Sequence, residues 1–232
     1  MTRETRNTPI STTSADFAWW RDWRPEWAQA YCVTLMSDTT VERVLTSLSA
    51  TKIDVAHGFD AFHARAVEAY DPVETLVGLI GVGDGWVVMA EVNGFIGVTE
   101  RLIGPLSPGR TIVSHFRNVN AAYRFHWWLD GALLIDVDLL FPHDRFGADP
   151  DKLLADIDDV GVSLHNPDGE PADVDHDAAG FALMQRITGV TCTAALLEDC
   201  EFTTGCVATP SPEDEHRYRH ALHQTWRNPT VW

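Results

Sequence analysis

The sequence predicts an α+β fold: an antiparallel sheet of about four to six strands packed by helices, with a helical C-terminal extension. Three observations lead there. Residues 85–138 contain short runs rich in β-branched and aromatic residues, GWVVMAEV, RTIVSHF, YRFHWW and ALLIDVD. Turn signals separate them, at Asn93-Gly94, Pro108-Gly109 and Asp130-Gly131, the pattern of strands joined by tight connections. Apolar residues at helical spacing flank this region, as at Val41, Val44, Leu45 and Leu48, where period 3.6 replaces period 2.

In chain order, residues 1–14 are polar and read as a disordered leader. Ser14 caps a short helix carrying Phe17, Trp20 and Trp23, which Pro25 stops. A strand over 31–36 precedes the helix opened by Thr39-Thr40-Val41-Glu42, a capping box. A second helix covers 59–70, with Pro72 just beyond. Strands at 76–82 and 86–92 meet at Gly83-Asp84-Gly85. A short helix over 98–106 and a strand over 110–116 follow, then a hairpin of 122–128 and 132–138. Asp149-Pro150-Asp151 opens a helix with Leu153, Leu154, Ile157 and Val160 on its apolar stripe. These elements define a core domain over 15–162. Residues 163–177 are an acidic, turn-rich loop, and 178–232 form a helical segment docked on the core.

The hairpin around Asp130-Gly131 constrains its own register. A strict two-residue loop sets Phe125 against Asp136, an apolar face against a polar one. A three-residue loop, Leu129-Asp130-Gly131, pairs Trp127 with Leu133, Phe125 with Ile135, Tyr123 with Val137 and Arg124 with Asp136. Because side chains alternate with period two, the second arrangement is the one expected.

Charge narrows the partners. Seventeen basic against 34 acidic residues give −17, a field that repels phosphate backbones and anionic lipid. No apolar run reaches the 18 residues or so that a membrane span needs. The expectation is therefore no nucleic acid and no membrane. The N-terminus lacks an apolar signal-peptide core and the four cysteines form no CxxC, which points to the cytoplasm and to buried, reduced thiols.

Catalytic signatures are scarce. GxxxxGK[ST], GxSxG and HExxH are all missing. Gly81, Gly83 and Gly85 precede a strand, whereas a phosphate cradle needs a helix N-terminus. No cofactor is expected. His216, His220 and His223, spaced i, i+4 and i+7 and joined by Glu213, are the weak metal alternative; Arg217 and Arg219 on the same turns oppose it. On the sheet, Arg124, His126 and Asp136 share one face, with Asp138 at its end and His115, Arg117 and Glu91 as further candidates. Acid, base and guanidinium together could bind a small polar ligand or move a proton. The plainer account is a water-facing sheet surface, although Trp128 and Leu134 on that face call for an apolar cover. Trp19, Trp20, Trp23 and Trp27 form an anchor for a partner if exposed, and a core plug if not.

The order of the pieces resembles an uncharacterised actinobacterial domain-of-unknown-function family. The shared features are the YCVT strand at 31–34, the VERVL helix at 41–45, the GW strand leading to Glu91-Val92-Asn93-Gly94, RNVNA at 117–121, the Arg145 to Leu153 helix start and TGVT at 188–191. The resemblance spans about 27–210 and implies an actinobacterial cytosolic protein, with no activity to carry over. The function expected is a noncatalytic cytosolic protein-interaction role (immunity, adaptor or regulatory), with a partner of basic character. The alternative is an enzyme or small-molecule binder in which His126 is acid or base, Arg124 holds an anion and Asp136 orients one of them.

Overall fold

The computed structural model describes residues 12–120, 122–164 and 174–227. Of the expected leader, 1–11 lie outside the described residues, as do 165–173 of the acidic loop. Thr12 is already buried, with its carbonyl accepting from Arg186 Nε at 2.7 Å.

In chain order the strands are β1 (Tyr31–Met36), β2 (Thr51–His57), β3 (Glu74–Gly81), β4 (Val87–Val92), β5 (Thr111–Arg117), β6 (Tyr123–Leu129), β7 (Ala132–Asp138), β8 (Arg145–Phe146) and β9 (Glu201–Ala208). The helices are α1 (Trp20–Trp23), α2 (Val41–Ser47), α3 (Gly58–Glu68), α4 (Glu100–Ile103), α5 (Leu154–Asp159), α6 (His176–Thr188), α7 (Ala194–Glu198) and α8 (Pro212–Arg227). Single 3-10 turns lead into α1 and β1 and flank α4.

All pairings are antiparallel, in one sheet ordered β2-β9-β3-β4-β1-β5-β6-β7-β8. The α+β class and the C-terminal helix are as expected, but among the described residues the sheet has nine strands rather than four to six. The additions have weak local signals. In β2 an irregularity at positive-φ Lys52 breaks the alternation, and β8 is only two residues long. In β9, Gly205 and three polar residues dilute the pattern. β9 enters the sheet between β2 and β3, so the 178–232 segment, read as helical, contributes an interior strand.

The expected three-residue hairpin loop is overturned. Leu129 pairs with Ala132 and Trp128 with Leu133. Asp130 and Gly131 both have positive φ, 46° and 84°, which suits a two-residue turn whose twist matches the strands. The extra residue that the apolar face requires is Leu134, bulged within β7, because Trp127 pairs with Ile135. Beyond the bulge Phe125 meets Val137, His126 meets Asp136 and Arg124 meets Asp138. The apolar face does require one extra residue, and a strand bulge accommodates it more readily than a turn already satisfied by Asp-Gly.

Both faces of the sheet are covered. One face carries Tyr31, Val33, Leu35, Val113, Phe125 and Val137 and packs against Phe17, Trp20, Trp27, Phe59 and the buried side of α6. The other carries Met36, Met89, Ile112, Trp128 and Leu133 and packs against α2, the α4 region and Leu222 of α8. The cover that Trp128 called for is thus α4 and α8; Leu134, expected on the same face, is the bulged residue and packs with the opposite cluster, while Leu133, expected beside Trp127, lies with Trp128.

Candidate functional site

His126 and Asp136 face each other across β6 and β7 and are 1% exposed. Their alternation aims them at the α4–α8 side, with Arg124 two residues along. Asp136 receives three partners: Arg124 Nη2 at 2.6 Å, Arg219 Nη2 at 3.0 Å and His126 Nε2 at 3.2 Å. Glu100, fully buried at the start of α4, meets Arg219 Nε at 2.9 Å, and His223 Nε2 lies 3.7 Å from the same oxygen. Glu215 of α8 caps α4 in return, accepting from the Glu100 and Arg101 amides at 2.9 and 3.4 Å. Glu100 Oε2 and His126 Nδ1 have no hydrogen-bond partner among the described residues and are shut off from solvent.

The two carboxylates differ in poise. Burial pushes Asp136 up, but His126, Arg124 and Arg219 more than offset it and hold its carboxyl below the usual range. Burial also raises Glu100, and here His126 and Arg219 only reduce the rise. Arg124, His126 and Asp136 are therefore brought together as the sequence expected, though in a buried charge network where a solvated face was the plainer reading. Glu100 and Arg219 were missed as members. Glu100 sits in a four-residue helix whose sequence has nothing to tie it to His126, and Arg219 reads in sequence only as a charge opposing a metal in the tail.

His115 and Arg117 lie on the opposite face, because β5 sets Ser114 beside His126 and His115 beside Phe125. There they join a second network. Tyr31 Oη is 2.7 Å from His115 Nε2 and donates to Asp177 Oδ1 at 3.1 Å, while Arg117 pairs with Asp177 at 2.5 Å. Burial lowers His115 to about 3, so it stays neutral. Glu91 does share the Arg124 face, but its carboxylate accepts from the Ile96 and Gly97 amides at 2.7 and 2.9 Å. Burial outweighs those donors and lifts it to about 7.

The tryptophan cluster is mostly core. Trp20 and Trp27 are 2% and 1% exposed, packed in tilted and edge-on contacts with Phe59, Phe181 and Tyr31. Trp27 Nε1 donates to the Glu91 carbonyl at 2.8 Å. Trp19 and Trp23 are half-buried, and Trp23 Nε1 donates to Glu198 at 2.6 Å. Burying rings of this size is worth roughly 4–6 kcal/mol each in transfer free energy. Trp20 and Trp27 are thereby excluded as an exposed anchor. In the tail, His216 and His220 are exposed with rings 6.5 Å apart, and His223 instead turns toward Glu100, so the expected trio does not converge. Cys32, Cys192 and Cys206 are buried and unbridged, and burial raises Cys192 to about 12.

Exposed apolar groups gather elsewhere. Tyr70 and Val73 precede β3, Phe95 follows β4 and Val119 follows β5; the antiparallel registers put these positions at one end of the sheet. Tyr70, Phe95 and Phe116 line a groove of about 230 Å³ there. Its charged lining residues are Asp71 and Glu74, and Glu74 is paired with Lys52 Nζ at 2.6 Å.

Fold and site together define an α+β protein with one antiparallel sheet, helices on both faces and a buried charge network under its last helix. The chain belongs to a family of unknown function, DUF6461, whose profile matches residues 10–212. The match takes in Glu100, His126 and Asp136 and stops where α8 begins. No curated protein and no solved structure matches the chain. No described helix is long and apolar enough to cross a membrane.

Proposed function

We propose that this is a noncatalytic protein-interaction protein that holds a basic partner segment at the Tyr70–Phe95 end of its sheet. One observation carries the reading: exposed Tyr70, Val73, Phe95 and Val119 converge at one end of the sheet around a groove lined by Asp71 and Glu74. Tyr70 and Phe95 are 72% and 45% exposed. Aromatic rings with a polar rim are the usual anchors of an interface. A chain of charge −17 attracts a cationic partner and speeds its encounter. The adaptor, immunity and regulatory roles, and placement in the cytoplasm, belong to this reading. The alternative of catalysis at His126 has less support, because its partners are engaged with one another beneath α8.

The test compares wild-type protein with Tyr70→Asp/Phe95→Asp, each isolated from host extract and examined by native mass spectrometry. Both rings are exposed, so the melting temperature should stay close to wild type. The expected result is a stoichiometric basic polypeptide on the wild type, released by salt, and absent from the double variant. A wild-type chain that runs alone, or a partner retained unchanged by the double variant, overturns the proposal.

A further inference from the structure

We propose that Glu100, His126 and Asp136, with His223 of α8 as a fourth donor, form a site for a divalent transition-metal ion of the zinc class. In the metal-free chain the Arg219 guanidinium takes the cation's place.

The donor atoms of Glu100, His126 and Asp136 all lie within 4.8 Å of one another, and the three residues are buried. Zinc bound at about 2.0–2.2 Å sets tetrahedral donors roughly 3.4 Å apart. The His126 Nε2–Asp136 Oδ1 separation of 3.2 Å already meets this, so the remaining adjustment is a closing-in of Glu100, whose donor oxygen lies within 4.8 Å of the other two.

Two further features point to a ligand rather than to a static ion pair. Glu100 Oε2 and His126 Nε2 are buried and make no hydrogen bond of good geometry among the described residues, and such atoms carry a desolvation cost that metal ligation removes. Arg219 bridges both carboxylates, Nε to Glu100 and Nη2 to Asp136, which is where a dication would balance the same two charges. It is also a removable occupant, since its side chain is 35% exposed on an outer helix. His223 stands one helical turn further along α8, already 3.7 Å from Glu100. Arg124, on Asp136 Oδ2 at 2.6 Å, would then keep that carboxylate oriented while Oδ1 faces the ion. Imidazole and carboxylate donors suit zinc among the common divalent ions. Four protein donors close the coordination sphere, as in sites that fasten structure, and the ion would fasten α8 to the sheet.

The full chain, stripped with EDTA, is titrated with Zn²⁺ by calorimetry, and Co²⁺ is added separately to read a tetrahedral visible spectrum. Wild type is expected to take up one equivalent. Glu100→Gln, His126→Asn and His223→Ala should each weaken binding at least about tenfold, the equivalent of ~1.4 kcal/mol. His216→Ala/His220→Ala should bind like wild type. Arg219→Gln decides the matter even if a ligand variant misfolds. Removing a competing cation should tighten zinc at least about tenfold, whereas a merely structural arginine leaves affinity unchanged or weaker. No stoichiometric uptake by wild type or Arg219→Gln, or uptake lost only in His216→Ala/His220→Ala, overturns the proposal.

Discussion

On one face of the sheet His115 lies beneath α6 with Tyr31, Asp177 and Arg117; on the other His126 lies beneath α8 with Asp136, Glu100 and Arg219. Each network joins a buried histidine, a buried aspartate and an arginine to a covering helix. The helices themselves differ. Residues 177–184 of α6 are all buried, with Phe181 against Trp20 and Gly180 so close to the His115 ring that a Cβ would collide with it. None of the described α8 side chains is fully buried, and it meets the core through half-buried Tyr218 and Leu222, Glu215 and Arg219. One helix is held by apolar burial and the other by charge. A helix held by charge can be released by altering that charge, whereas one held by burial comes away only with the core.

The largest break in this comparison is Phe181→Ala. It empties a buried site beside Trp20 and Tyr31 and should cost about 3–5 kcal/mol in urea unfolding. The matching change on α8, Leu222→Ala, should cost no more than about 1 kcal/mol. Equal losses would mean that α8 is as much a part of the core as α6.

The next effect is in pH. His115 is held neutral, with its folded value lowered to about 3 from 6.5. Below pH 6.5 the unfolded chain takes up a proton that the folded chain refuses. Stability should therefore fall as pH drops from about 6.5 toward 3, by up to ~1.4 kcal/mol per unit from this group. His115→Gln should flatten that slope relative to wild type in urea melts across the window; parallel curves would show that His115 is not the group responsible.

The smallest effect is the most selective. Arg219→Gln removes one cation from the pairs with Glu100 and Asp136, and because Arg219 is about one-third exposed the global loss should stay near 1 kcal/mol. Amide hydrogen exchange should nevertheless speed up across residues 212–223 and stay unchanged in α6. Exchange that rises equally in both helices would remove the distinction between the two faces.

Much of this was legible locally. Period-two alternation and the Asp-Gly turn located β6 and β7 and put Arg124, His126 and Asp136 on one face, because beyond the bulge the observed pairing differs from the expected one by two residues, which preserves the face; before the bulge it differs by one, and Leu133 changes sides. The capping box placed α2, whose Thr40 side chain accepts from Arg43. The hairpin loop was misjudged because its constraint is non-local: an apolar face must match, and the same demand is met by an extra residue in the turn or at Leu134. β9 was missed for a related reason, since its partners β2 and β3 lie more than a hundred residues away along the chain and supply the hydrogen bonds that its composition does not advertise.

By itself, then, the sequence determined the α+β class, several turn and cap positions, the charge and the shared side of Arg124, His126 and Asp136. These depend on neighbours a few residues apart. Only the tertiary structure decided that Trp20 and Trp27 are core, that His115 and His126 face opposite layers, and that Glu100 and Arg219 complete a buried cluster with Asp136. Burial and ion pairing between distant segments arise when helices pack on a sheet, and residue spacing carries no record of which helix closes which face.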